Sequence, residues 1–165
     1  MCATVWRAAD SVSHHRQHIR LRWIRIEAGP TSWERLEAVG LGTTEACGDS
    51  HRVIIGVPLA GVDADEVIDG AAAIKAVAAT YLGDPAYSNL PRKFKTSISG
   101  CAVHCTNHEI NDISLVGVVH PTLGPGYDVW VGGGLSTNPK LGVRLGAFVE
   151  PARVLEVWEG VIAVF

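Results

Sequence analysis

Arg92, Lys93 and Lys95 crowd three cations into four residues of a run, residues 89–100 (NLPRKFKTSISG), that reads as a strand. Pro91 suits a first strand position, and Phe94, Thr96 and Ile98 alternate with Lys93, Lys95, Ser97 and Ser99. On a regular strand Lys93 and Lys95 leave the same face and Arg92 the other. Next-but-one residues lie roughly 6.5 Å apart, so the two ammonium groups repel each other unless an anion sits between them. The spacing therefore fits a site for a small anion. It also fits an exposed edge strand that uses lysines against aggregation.

Other residues carry chemistry of their own. Arg52 stands where a polar loop enters the apolar run 53–57, and a buried cation needs a partner, which Glu45, Asp49 or an anion would supply. The four cysteines at positions 2, 47, 101 and 105 suit thiols or metal ligands better than a disulfide framework. Cys101 and Cys105 with His104 or His108 would suit zinc. A 4Fe-4S cubane needs four thiolates, and the other two, Cys2 and Cys47, lack cluster-like spacing. Cys47 reads instead as a small buried hydrophobe. In residues 108–112 (HEIND), Glu109 is open to two readings, a catalytic acid or a hydrogen-bonding tie. Gly132, Gly133 and Gly134 mark a place where backbone passes close to something.

Several of these stretches occur together in a familiar order. TTEACGDSHR (43–52), GVPLAG (56–61), LPRKFK (90–95), HEIND (108–112) and VGGGLSTNP (131–139) resemble the first half of the sirohaem-containing nitrite and sulfite reductases, over residues 13–165. The resemblance implies reduction of sulfite to sulfide or nitrite to ammonia with sirohaem, a 4Fe-4S cluster and an electron donor such as ferredoxin. It implies that Arg52, Lys93 and Lys95 handle the anionic substrate and its protons, and that Arg16 binds a sirohaem carboxylate. Arg92 falls at the cofactor periphery, and Gly132, Gly133 and Gly134 approach the sirohaem or its neighbouring segment. The chain departs from the family at Arg20 and Arg22, where glutamine and histidine are usual, and at Val12, where an arginine is expected. The family's cluster cysteines belong to a second half that the resemblance does not reach, so a separate second-half polypeptide is an expected partner. Cys101 and Cys105 occupy the matching place of the internal pseudo-repeat.

The elements that must position these residues follow from patterning. With 165 residues, 47% hydrophobic and 19% charged, the chain fits one globular domain. A net charge of −3 and a pI of about 6.1 argue against nucleic acid and membrane surfaces as partners. No apolar run reaches the roughly 18 residues of a membrane span, and no signal-peptide core precedes Ser13, so a cytoplasmic location is expected. Residues 1–12 lack periodicity and match nothing; residues 13–42 form a partial strand and helix of the ferredoxin-like half; residues 43–165 form the nitrite/sulfite reductase domain, expected to be cut short at Phe165, where no helix-stop signal appears. Thr31 with Glu34 forms a capping box for a helix that Gly40 closes. Residues 63–82 read as helical, divided at Asp69-Gly70 and stopped by Gly83. Strands are expected at 53–57, 113–119 and 127–131, a turn at 124–126, and helices at 138–148 and from Glu150 onward. The fold class is α/β (α+β), a mixed sheet with helices on one side. Besides a reductase half, the sequence also fits a non-catalytic, partner-requiring remnant, or a small metal-binding module built on Cys101 and Cys105.

Overall fold

A computed structural model describes residues 10–165; Cys2 and most of the unmatched N-terminal segment lie outside the described residues. Two sheets form. A hairpin pairs β1 (Asp10–Ser13) with β2 (Ile19–Arg22), and a four-stranded mixed sheet runs in the order β3 (Thr96–Ser99), β4 (Ile113–His120), β5 (Gly124–Val131), β6 (Val143–Val149). The β3–β4 pair is parallel and the others are antiparallel. Helix α1 spans Gly29–Glu37, α2 Gly70–Tyr81 and α3 Val154–Val164. None of the described helices is long and apolar enough to cross a membrane.

The core lies between the sheet and helices α2 and α3. Ile98, Ile113, Leu115, Tyr127 and Val129 supply the sheet side, and Ala73, Val77, Tyr81, Val154, Trp158 and Ile162 the helical side. Trp158 is fully buried at the centre, stacked on Tyr81 with ring centroids 4.5 Å apart and edge-on to Phe94 at 5.8 Å. Its indole N–H donates to Thr96 Oγ1 at 2.9 Å, so the polar tip of the aromatic finds a partner inside the core. Asp69 caps α2 by accepting from the Ala71 N–H, and Gly83, in the left-handed region, lets the chain leave.

The opposite face of β3 and β4 is covered by the crossover that a parallel pair requires, here the loop of residues 100–112. This corrects the expected half-solvated strand, because Ser97 and Ser99 are fully buried along with Thr96 and Ile98. Their hydroxyls are satisfied in the loop: Thr106 donates to Ser97, Ser97 to Ser114 at 2.8 Å, and Ser114 to the His108 carbonyl at 2.6 Å.

Other expectations are corrected as well. Residues 138–148 hold no helix; β6 occupies most of that range. Gly146 sits in the left-handed region beside a register shift opposite Asp128 and Trp130, the geometry of a bulge. Residues 63–69 form a turn and a bridge from Glu66 to Cys101 instead of a first helix, because the Val67 and Ile68 N–H groups bond the Gly100 carbonyl. Thr31 lies inside α1, which starts at Gly29 after Ala28, while Gly40 does close it through a Leu41 N–H to Leu36 bond. The strand that the family resemblance puts at residues 23–27, after Arg16-Gln17, falls instead at Ile19–Arg22 and ends at Trp23, and the turn expected at 124–126 falls at 121–123. Residues 53–57 run extended beside β3 with single bridges and form no regular strand.

The glycine triplet after β5 is tied internally at its middle member. A Cβ on Gly133 would collide with the Glu109 carbonyl, whereas one on Gly134 would meet open space. Gly133→Ala should therefore lower stability by about 1–3 kcal/mol and Gly134→Ala by no more than about 0.5 kcal/mol. Equal shifts in the denaturant midpoints of the two variants would contradict this packing.

Candidate functional site

Phe94 builds the site. Its side chain is fully buried against Trp158, its N–H bonds the Ser50 carbonyl at 3.0 Å, and its carbonyl accepts the Arg52 N–H at 2.7 Å. Lys93 and Lys95 flank this pinned residue, and Arg52 is held in register beside it. The Lys95 N–H donates to Asp112 Oδ2 at 2.6 Å, tying the lysine run to the entry of β4.

Arg16 reaches the same end of the sheet from the β1–β2 turn. Its guanidinium donates to Asn111 Oδ1 and to the Val53 carbonyl, each at 2.8 Å, while its Nε is buried without a partner. Burial pulls its pKa down to about 10, against the pull of Asp112. Gln17, held in the left-handed region, exchanges two hydrogen bonds with the backbone of Gly56 at 2.7 and 3.0 Å, which docks the hairpin turn on residues 53–57.

The electrostatics show that these cations share one field. Burial depresses the half-buried Lys95 ammonium; Asp112 opposes that shift, and Lys93, Arg16 and Arg52 add to it. Burial in turn raises Asp112, against the pull of Lys95 and Arg16. Among the described residues, Arg16, Arg52, Lys93 and Lys95 form no ion pair. Arg52 donates only to the Gly48 carbonyl at 3.3 Å, because Glu45 is engaged by His51 at 2.8 Å and Ser88 at 2.5 Å. Unpaired cations around a single carboxylate can bind and polarise an anion.

The remaining sequence-derived residues divide. Arg92 is exposed beyond this cluster, and Gly132, Gly133 and Gly134 lie beside it, with Gly132 bonded to the Asp112 carbonyl. Cys101 and Cys105 come together at the other end of β3, next to Asp63. Cys47 is exposed, correcting the expected buried position. Glu109 acts through its backbone, its carbonyl accepting the Gly142 N–H, with its carboxylate 3.9 Å from His104. Asn111 was not singled out, although a polar side chain that is 1% exposed must bond internally, and here it anchors Arg16.

The geometry defines an α/β domain with a cation-rich surface at one end of its sheet. Residues 47–165 match the nitrite and sulphite reductase 4Fe-4S domain, and the chain belongs to that family. It is 54% identical over 150 residues to sulfite reductase (ferredoxin) 2 of Mycolicibacterium paratuberculosis, covering 91% of this chain and 27% of the relative. An assimilatory ferredoxin-dependent nitrite reductase of Haloferax mediterranei is 37% identical over 155 residues, covering 91% of this chain and 26% of that protein. The structure of the Mycobacterium tuberculosis NirA protein superposes with a TM-score of 0.90 at 48% identity, covering 99% of this chain and 30% of that one. Dissimilatory sulfite reductase I shares the fold, with a TM-score of 0.72 at 11% identity, covering 93% of this chain and 56% of that one. The chain thus spans about 27% of the length of the first curated relatives it matches.

The family implies sirohaem and a 4Fe-4S cluster. The cationic surface fits the former: the partnerless Arg16 Nε and the unpaired Arg52 and Lys93 lack acceptors that a carboxylate-bearing group brings. A small cleft of about 60 Å³ opens beside Arg16, lined also by Gln17, Gly56 and Thr106. A cubane does not fit: among the described residues only Cys101 and Cys105 approach each other, with Cys47 elsewhere and exposed.

A shared field has a pH signature. Lys95 has its folded pKa below the ordinary lysine value of 10.5, so its charged form opposes folding at neutral pH and stability rises with pH through the window between the folded value and 10.5. Lys93→Ala and Arg52→Ala should each move the Lys95 titration upward, followed by NMR of its side chain. A titration unmoved in both variants would mean that the cations do not converge.

Proposed function

We propose that this chain is the anion- and sirohaem-facing portion of a ferredoxin-dependent sulfite or nitrite reductase. The observation that carries the reading is the gathering of Lys93, Arg16 and Arg52 around Lys95, with Asp112 beside Lys95 and Arg16 as the one carboxylate among them and no ion pair to any of the four cations among the described residues. Sulfite is the favoured substrate, supported by relatives at 53–54% identity that are named sulfite reductases, against 37% for the nitrite reductases.

In this reading sirohaem, when bound, supplies an iron that takes the anion and passes it electrons. Arg52 and Lys93 neutralise the bound anion, and the guanidinium offers planar, paired donors. Lys95, whose proton is loosened by burial and by its cationic neighbours, would supply one of the two protons that each substrate oxygen needs to leave as water, solvent supplying the other. Asp112 and Arg16 orient the lysine backbone and the strand ends, and the Arg16 guanidinium, whose Nε has no partner, would help hold a cofactor carboxylate. Arg92 and the three glycines lie at the cofactor's periphery. The cluster thiolates come from further polypeptide, in the same protein or a separate one. Apolar side chains exposed on β6, Val143 and Leu145, offer such a segment a surface. The domain assignment of residues 43–165, after a partial ferredoxin-like segment at 13–42, belongs to the same reading. So does a cytoplasmic setting, supported by three free cysteines.

Co-expression with sirohaem synthesis tests it. The purified chain should carry iron and a Soret-type absorption band that sulfite shifts. Lys93→Ala with Lys95→Ala should weaken that response at least ten-fold, from about 1.5–3 kcal/mol per lost charged hydrogen bond. Without cluster thiolates the chain alone should reduce neither anion. A colourless, iron-free protein, or a spectral response to sulfite indifferent to both lysines, would overturn the assignment.

A further inference from the structure

At the end of β3 opposite the cationic cluster, three metal-ligand atoms meet. Cys101 is fully buried, and its Sγ lies 3.6 Å from Asp63 Oδ2; Cys105 Sγ, half-buried, lies within 4.8 Å of both. We propose that Asp63, Cys101 and Cys105 form a site for a thiophilic divalent cation of the zinc type, its fourth position open to water or another small ligand.

The spacing fits tetrahedral coordination. A sulfur about 2.3 Å and an oxygen about 2.0–2.2 Å from zinc stand about 3.5–3.7 Å apart at the tetrahedral angle. Two thiolates with one carboxylate suit zinc or cobalt and disfavour magnesium or calcium, which take oxygen. Binding would displace both thiol protons, so a divalent ion would leave the ligand set with one net negative charge.

The three ligands are also held in place. Asp63 Oδ1 accepts the Asp65 N–H at 3.0 Å, which leaves Oδ2 turned to the sulfurs, and the Asp63 N–H bonds the Leu59 carbonyl at 3.0 Å. Cys101 is fixed by the bridge to Glu66 and by its N–H to Ser99 Oγ at 3.2 Å. A Cβ on Gly100 would collide with the Ile68 carbonyl, so residues 66–68 clamp the backbone that presents Cys101. Cys105 turns back through its N–H to the Val103 carbonyl at 2.8 Å. Asp63 has no cationic partner among the described residues.

Cobalt(II) titration of the reduced, chelator-treated full chain tests the site without sirohaem. One equivalent should bind with a thiolate-to-cobalt charge-transfer band and tetrahedral visible bands, both displaced by zinc. Cys105→Ser should remove about half of the charge-transfer intensity, one of the two thiolates, and Asp63→Asn should weaken binding roughly ten-fold or more. Cys105 and Asp63 are only partly buried, so both variants should keep the native circular dichroism. Absence of the charge-transfer band in the folded protein would overturn the proposal. So would cobalt spectra and affinity unchanged by both substitutions, which would place the metal elsewhere, the neighbouring His104, His108 and Glu109 being the alternative donors.

Discussion

The burial of one phenyl ring holds the cationic surface together. Phe94 is locked against Trp158 and bonded through both backbone groups to residues 50 and 52, so the two lysines beside it and the arginine across from it cannot separate by a small backbone shift. Two unit charges roughly 6.5 Å apart repel by about 0.6 kcal/mol in water and about 2.5 kcal/mol at an effective dielectric of 20. Burying a phenylalanine contributes about 1.5–3 kcal/mol, the same scale. The hydrophobic anchor therefore offsets roughly one such repulsion, and Asp112 relieves part of the rest.

Much of this was legible in sequence, for physical reasons that differ from place to place. Val116 and its neighbours form a continuous apolar run, and β4 is indeed buried on both faces over Ile113–Gly117. Gly40, Asp69 and Gly83 punctuate helices because their local chemistry hardly depends on tertiary context. The lysine spacing was legible as a place of mutual repulsion, although the lysines precede the regular part of β3 and converge through Phe94 instead of a strand face.

What could not be read depends on partners distant in the chain. Asn138-Pro139 followed by Leu141, Leu145 and Phe148 imitates a helix, yet β5 offered a free edge and Gly142 and Gly146 weakened the helical alternative. Val67 and Ile68 continue the apolar stripe of α2, but their N–H groups bond the Gly100 carbonyl, a tertiary demand that outweighs propensity. Ser97 and Ser99 looked solvent-facing because the hydroxyl chain that satisfies them runs through a loop whose path no local pattern reveals. Asp63 lies 38 positions before Cys101, and nothing in either neighbourhood announces their meeting.

The crossover of residues 100–112 explains why one short strand serves two kinds of chemistry. A parallel pair forces the chain to return across the sheet, so the residues that leave the far end of β3 and those that enter β4 belong to one loop. Its first residues present thiols beside a carboxylate, and its last, Asn111 and Asp112, receive Arg16 and the Lys95 N–H. Between them the hydroxyl chain of Thr106, Ser97 and Ser114 ties the loop to the strands at its middle. Polar groups are costly to bury unless bonded, and here every bond also fixes the distance between the two ends. The cation-rich end and the sulfur-rich end are thus joined by one continuous segment that buried hydroxyl hydrogen bonds fasten to β3 and β4 between them.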